Sequence, residues 1–233
     1  MTPDEQKRAA AIAALDYVES GMKVGLGTGS TANHFIDALG AKVKEGLDVL
    51  CVPTSIASEE RARALGIPLA TLEEEPELDV TVDGADEILP RGLVLIKGGG
   101  GALTREKIVA SSSRRMVVIA DASKKMSDVT FGQFPLPVEI LPFGARATIV
   151  KIRAAIEALG MHGPLIVREK DGETFVTDNG GLIVDCHLGH IVEPEKLAEA
   201  LIHIPGVVEQ GLFTEIASVA LVATDDGVET LAV

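Results

Sequence analysis

Through its first 120 residues this chain alternates short apolar runs with longer amphipathic stretches, and that rhythm constrains the fold more than any other feature. Strands are predicted at residues 23–26, 49–52, 80–82, 93–96 and 116–120. Helices are predicted at 30–44, 56–65 and 104–111. Repeated β–α–β units with short apolar strands imply a parallel sheet covered on both faces. A further helix precedes the first strand. Thr2, Pro3 and Glu5 write a capping box with Pro in the first turn, and apolar positions continue to Val18 before Ser20 and Gly21 stop it.

The pattern changes after Phe131. The run Phe131-Gly132-Gln133-Phe134-Pro135-Leu136-Pro137 reads as a linker, because two Pro fall within three residues. Beyond it, strands at 138–141, 165–168, 182–186 and 207–212 and helices at 147–159 and 194–203 give the order βαββαβ. That is the split arrangement of ferredoxin-like domains. A last strand pair, 218–224 and 228–233, is joined at Asp226-Gly227, a hairpin signal, and is expected to return to the first domain. The expected domains are therefore 1–130 plus 213–233, and 131–212.

Composition narrows the function. At 46% hydrophobic, the 233 residues can bury a sizeable core, but with 3% aromatics and no Trp it must rest on Ala, Val, Leu and Ile. A net charge of −14 argues against nucleic acid, whose phosphates demand a basic surface. It does not exclude a small anion held by a few cations and backbone N–H groups. The two cysteines, Cys51 and Cys186, sit in apolar runs and read as buried small hydrophobes. No basic-then-apolar leader and no apolar run of about 18 residues is present, so a soluble cytoplasmic protein is expected, with no membrane partner.

Three loops carry candidate chemistry, each placed where sites form in parallel α/β sheets, beyond the carboxyl ends of strands. The first is Gly25-Leu26-Gly27-Thr28-Gly29-Ser30-Thr31-Ala32. It is either a phosphate cradle at a helix N-terminus or a tight, capped strand-to-helix turn. It lacks the Lys of a P-loop and the last glycine of a dinucleotide fingerprint. The second, Asp83-Gly84-Ala85-Asp86-Glu87, puts three carboxylates after a buried strand. They could bind sugar hydroxyls or a metal, or form a solvated turn. The third, Lys97 to Lys107, holds four consecutive glycines, Gly98, Gly99, Gly100 and Gly101, and then Glu106. Such a loop can aim several N–H groups at one developing negative charge; the alternative is a flexible linker.

These motifs in this order resemble the A-type ribose-5-phosphate isomerases along nearly the whole chain. Also shared are Val52-Pro53-Thr54-Ser55, Ile119-Ala120-Asp121-Ala122-Ser123-Lys124, Thr177-Asp178-Asn179-Gly180 and Ile204-Pro205-Gly206-Val207-Val208. The resemblance implies an α/β protein, a Rossmann-like parallel-sheet domain with a smaller ferredoxin-like α+β domain. It implies aldose–ketose isomerisation of a sugar phosphate without a cofactor or metal, by a homodimer or homotetramer. It makes Glu106 the general base and Asp83 and Asp86 the holders of sugar hydroxyls. Lys97 and the N–H groups of Gly98, Gly99 and Gly100 stabilise the oxyanion. Lys7, Thr28, Gly29, Ser30, Thr31 and Lys124 hold the phosphate, and Gly84 and Ala85 line the substrate.

Of the five histidines, only His187 and His190 suggest a metal pair, and no third ligand has suitable spacing. Two rivals remain at this point. A sugar-phosphate sensor would need no Glu106. A nicotinamide-dependent dehydrogenase would need an acidic ribose ligand where the strand at 49–52 runs into Pro53.

Overall fold

The computed structural model describes residues 1–232. Its elements run α1 (Pro3–Ala13), β1 (Met22–Leu26), α2 (Ser30–Lys44), β2 (Val49–Pro53), α3 (Ile56–Leu65), β3 (Val80–Gly84), β4 (Glu87–Leu89), β5 (Val94–Ile96), α4 (Leu103–Ser111) and β6 (Met116–Asp121). They continue with β7 (Leu136–Ile140), α5 (Ala145–Ala158), β8 (Leu165–Val167), β9 (Glu169–Lys170), β10 (Glu173–Thr174) and β11 (Leu182–Cys186). The last are α6 (Pro194–Ile202), β12 (Val207–Gln210), β13 (Leu212–Phe213), β14 (Val219–Thr224) and β15 (Gly227–Ala232).

The chain divides into two compact units. One holds Met1–Ala85, Arg105–Lys125 and the residues from Glu215 onward; the other holds Asp86–Thr104 and Met126–Thr214. This division differs from the expected boundaries by a few residues at 126–130 and 213–214, and chiefly at residues 86–104. The cause of the chief difference is β5, which pairs antiparallel with β4 on one side and with Leu212 and Phe213 of β13 on the other. Those ladders tie the segment to the second unit.

The first unit is built on a six-stranded sheet of order β15-β14-β6-β3-β1-β2. All pairings are parallel except the edge hairpin β14–β15. Every residue of β3 and β6 is buried, as strands covered on both faces require. The core is aliphatic, with Val24, Leu26, Ile36, Leu39, Val82, Val117 and Ile119 packed around Phe35. The capping box at Thr2 forms as expected. The α-helix it starts stops at Ala13, earlier than predicted, and passes into a 3-10 turn over Ala14–Tyr17. The hairpin turn also shifts by one residue. Thr224 pairs with Gly227, so Asp225 and Asp226 form the loop, and the Thr224 hydroxyl ties it by accepting from Asp226 N.

The second unit has a four-stranded antiparallel sheet of order β12-β7-β11-β8. With α5 and α6 this is the ferredoxin-like βαββαβ arrangement. Its core gathers Ile96, Phe131, Val138, Ile152, Ile156, Val184, Leu197 and Leu201. The predicted linker at 131–137 is instead packed into the unit, with Phe131, Gly132, Leu136 and Pro137 buried and Gln133 exposed. Phe131 is fully enclosed, and the N–H groups of Gly132 and Phe134 each donate to the Glu87 carboxylate at 2.6 Å. The predicted strand 207–212 breaks at Gly211. There a Cβ would overlap the Lys97 carbonyl and meet Pro137, and the chain leaves one sheet for another.

Candidate active site

In the first unit β1 lies between β2 and β3, so the chain reverses direction of winding around β1 and β3. Crevices at such switch points, beyond the carboxyl ends of the strands, are where α/β sheets bind ligands. Both strands end there in the residues singled out from the sequence. Gly27 N donates to Val82 O at 2.9 Å, which draws the loop after β1 against the end of β3. Asp83 is fully buried, and its Oδ1 accepts from Thr28 N at 3.0 Å and Gly84 N at 2.7 Å. A Cβ on Gly27 would overlap this carboxylate, which is why the first loop needs glycine there. Beyond it Gly29, at φ 105°, turns the chain into α2 without a side-chain cap. The N–H groups of the first turn, at Ser30 and Thr31, stand where an anion is favoured. Gly84 closes the strand against the Thr31 side chain, and Ala85 ends the unit's first segment.

Two cations belong to the same unit. Lys7 on α1 donates to Ser30 Oγ at 3.1 Å. Lys124 ends the 3-10 turn over Ala122–Lys124 that follows β6. The turn is capped by Asp121, which accepts from Ser123, and Gln6 Oε1 accepts from Ala122 N at 3.2 Å. Through Gln6 and Lys7, α1 therefore touches the loops after both β6 and β1. The Thr28 hydroxyl is placed differently from Ser30. It joins a cluster with the hydroxyls of Thr54, Ser55 and Ser58, at 2.7, 2.8 and 3.1 Å, and Ser58 donates to Gly27 O. Reading the sequence missed Gln6, Asp121, Thr54, Ser55 and Ser58 as supports. Thr54, Ser55 and Asp121 lie in motifs the family resemblance already carried, at the ends of β2 and β6, whereas Gln6 and Ser58 had only their place on α1 and α3 as a signal. Glu106 sits in the first turn of α4 and is 3% exposed. A carboxylate there is favoured by the helix dipole.

The second unit carries the other candidates. Asp86 N donates to Ile96 O at 2.8 Å, and its Oδ2 accepts from Gly99 N at 2.7 Å. Lys97 is 2% exposed. Its main-chain N–H donates to Gly211 O at 2.8 Å, and its ammonium lies 5.4 Å from the centroid of the Phe213 ring, within cation–π range. The glycine loop is ordered, with Gly98 and Gly101 at φ 106° and 84° and Gly101 N bonded to Gly98 O. Glu87, the third acid of its motif, faces inward as described. Among the described residues, no three His, Cys, Asp or Glu side chains converge on a point that could hold a metal, and no helix is long and apolar enough to cross a membrane. His190 is taken up by Asp128 O at 2.8 Å.

Comparison with known proteins identifies the family of the chain. The model of the family ribose 5-phosphate isomerase A (phosphoriboisomerase A) matches residues 50–227. The ribose-5-phosphate isomerase A of Parvibaculum lavamentivorans is 54% identical over 232 residues, covering 99% of each chain. That of Rhodopseudomonas palustris is 56% identical with the same coverage. The solved ribose 5-phosphate isomerase of Plasmodium falciparum is 41% identical, with a TM-score of 0.92 over 99% of each chain. A D-ribose-5-phosphate isomerase solved in complex with phospho-erythronic acid is 37% identical, with a TM-score of 0.91 over the whole of both chains. Identity at this level over full length, on the same fold, places the chain in the ribose-5-phosphate isomerase A family.

Proposed function

We propose that this chain is a sugar-phosphate isomerase that interconverts D-ribose 5-phosphate and D-ribulose 5-phosphate. The observation that carries the reading is Glu106, a carboxylate buried in the first turn of the helix that follows the glycine loop. Isomerisation moves a proton between C2 and C1 of the open-chain sugar, through an enediol or enediolate. It needs one positioned base and donors aimed at the charge that develops on oxygen. Glu106 is the base. The reaction uses it in its carboxylate form, as a general base must be. Lys97 and main-chain N–H groups of the glycine loop stabilise the enediolate oxygen. Asp83 and Asp86 accept from sugar hydroxyls, and Asp83 assists ring opening. The phosphate lies on the N-terminus of α2, at Gly29, Ser30 and Thr31 beside Thr28, with Lys7 and Lys124. Binding this remote group orients the reacting carbons. The hydrogen stays within one molecule, so the stoichiometry calls for no redox cofactor. The family also implies a homodimer or homotetramer working in the cytoplasm.

The test is conversion of ribose 5-phosphate to ribulose 5-phosphate by the wild type and Glu106→Gln. Wild-type turnover with a loss of about 10²–10⁴-fold in the variant, the usual worth of a general base, is expected. A fully active variant would remove Glu106 from its role. A wild type that binds the substrate tightly without converting it would instead be a sensor.

A further inference from the structure

Arg168 lies just beyond β8, 70 residues from the glycine loop in sequence, yet it holds that loop by its carbonyls. Its Nη1 donates to Gly98 O at 2.8 Å and to Gly99 O at 3.1 Å. The guanidinium is fixed from behind by Asp185 on β11, with Nε to Oδ2 at 2.9 Å and Nη2 to Oδ1 at 2.5 Å, a two-point fork between side chains 14% and 17% exposed. Such a fork sets the plane of the guanidinium as well as its place.

The consequence follows from peptide geometry. Every described peptide bond is trans, so each carbonyl points opposite to the N–H of the next residue. The peptide whose carbonyl is Gly98 O carries the Gly99 N–H. Arg168 takes the first and the Asp86 carboxylate takes the second, from opposite sides. In the next peptide Arg168 again takes the carbonyl, of Gly99, so the Gly100 N–H points to the side on which Asp86 stands. Two successive N–H groups on one side make a small anion-binding concavity. The first is already occupied by Asp86; the second belongs to an exposed glycine.

We infer that Arg168, oriented by Asp185, is a positioning residue for the isomerisation, and that it sets the Gly100 N–H as the loop's donor to the developing oxyanion. This rests on the isomerase reading above. Arg168 touches no reacting atom in this scheme; its effect passes through two peptide planes. The Gly98–Gly99 plane is also held by Gly101 N and Asp86, so without Arg168 it is the Gly99–Gly100 plane that can rotate, and one misdirected oxyanion donor costs on the order of 10²-fold in turnover.

The experiment measures kcat and KM for ribose 5-phosphate with the wild type, Arg168→Ala, Arg168→Lys and Asp185→Asn, with and without added methylguanidinium. Arg168→Ala is expected to lose about 10²-fold in kcat with KM changed less than about threefold. Methylguanidinium is expected to restore at least about a tenth of the loss in that variant and none in the others, whereas Lys, a point charge, stays low. If Arg168→Ala does not fold, Asp185→Asn decides, with an expected kcat loss of about tenfold at near-native KM. Losses confined to KM, or a kcat within about threefold of wild type in whichever variant decides, overturn the inference. A wild type that does not turn over refutes the isomerase reading itself.

Discussion

At the scale of single residues, the site depends on places where a side chain is forbidden as much as on those where one is required. Gly27 is the clearest case. Its missing Cβ is the space filled by the Asp83 carboxylate, and the Asp83 Cα would lie only 2.6 Å from an added Cβ. Backbone cannot yield as a flexible side chain would. Gly27→Ala should therefore push Asp83 from the end of β3, destabilise the protein by about 1–3 kcal/mol as overpacking does, and lower turnover more than tenfold. Denaturant unfolding and the isomerase assay check both, and a fully active Gly27→Ala would mean that the loop after β1 shifts freely. That a glycine loop and Asp83 stand at strand ends was legible in the sequence, because strand ends announce themselves by an apolar run that stops; that Gly27 makes room for the Asp83 carboxylate was not. Arg168 was not legible. Nothing local distinguishes it from any other arginine after a short strand; its meaning lies in two carbonyls 70 and 69 positions away.

Between elements, buried carboxylates join segments that hydrophobic patterning leaves unconnected. Glu87 is fully buried and receives the N–H groups of Gly132 and Phe134. Glu139 on β7 accepts from the hydroxyls of Thr104 and Thr177, and the Asn179 amide lies at 3.4 Å. The turn at 177–181 is thereby tied to the start of α4. The sequence misled at 131–137 for a definite reason. Pro and Gly mark where a chain cannot continue a strand or helix, but they say nothing of whether a buried acceptor waits for the N–H groups left over. In the same way βαββαβ was readable from periodicity, while the switch of strand at Gly211 needed the approach of Lys97 and Pro137 to be seen. Removing the Glu87 acceptor should strand two buried N–H groups. Glu87→Ala is expected to cost about 2–6 kcal/mol, since each unsatisfied group costs roughly 1–3, and Glu87→Gln, which keeps one carbonyl oxygen, distinctly less. Equilibrium unfolding of the two variants decides; equal and small losses would show that the segment is held by Phe131 packing instead.

For the whole molecule, a chain with few aromatics builds two aliphatic cores, and each encloses one free cysteine. Cys51 packs among Val24, Leu26 and Phe35's neighbours in the first unit, and Cys186 lies with Val138 and Val184 in the second. Burial pushes both thiols up to about 12 from an ordinary 9.0. A thiol is neutral when protonated, so the folded chain retains its protons at a pH where the unfolded chain releases them. The stability associated with these groups is fully present below about pH 9 and is lost as pH rises from there toward 12, because the unfolded state then binds fewer protons. Two outcomes follow. At pH 8 an aromatic disulfide reagent should leave both thiols of the native protein untouched while reacting with both in denaturant, since only the exposed thiolate attacks. Between pH 8.5 and 10.5, the urea midpoint of the wild type should fall more steeply than that of a Cys51→Ala, Cys186→Ala double variant, the comparison removing the contributions of other groups that titrate there. Parallel midpoints, or prompt labelling of either native thiol, would mean that one of the two cores opens to water at neutral pH. Each cysteine reports on its own unit, so labelling at partial denaturant would identify which one.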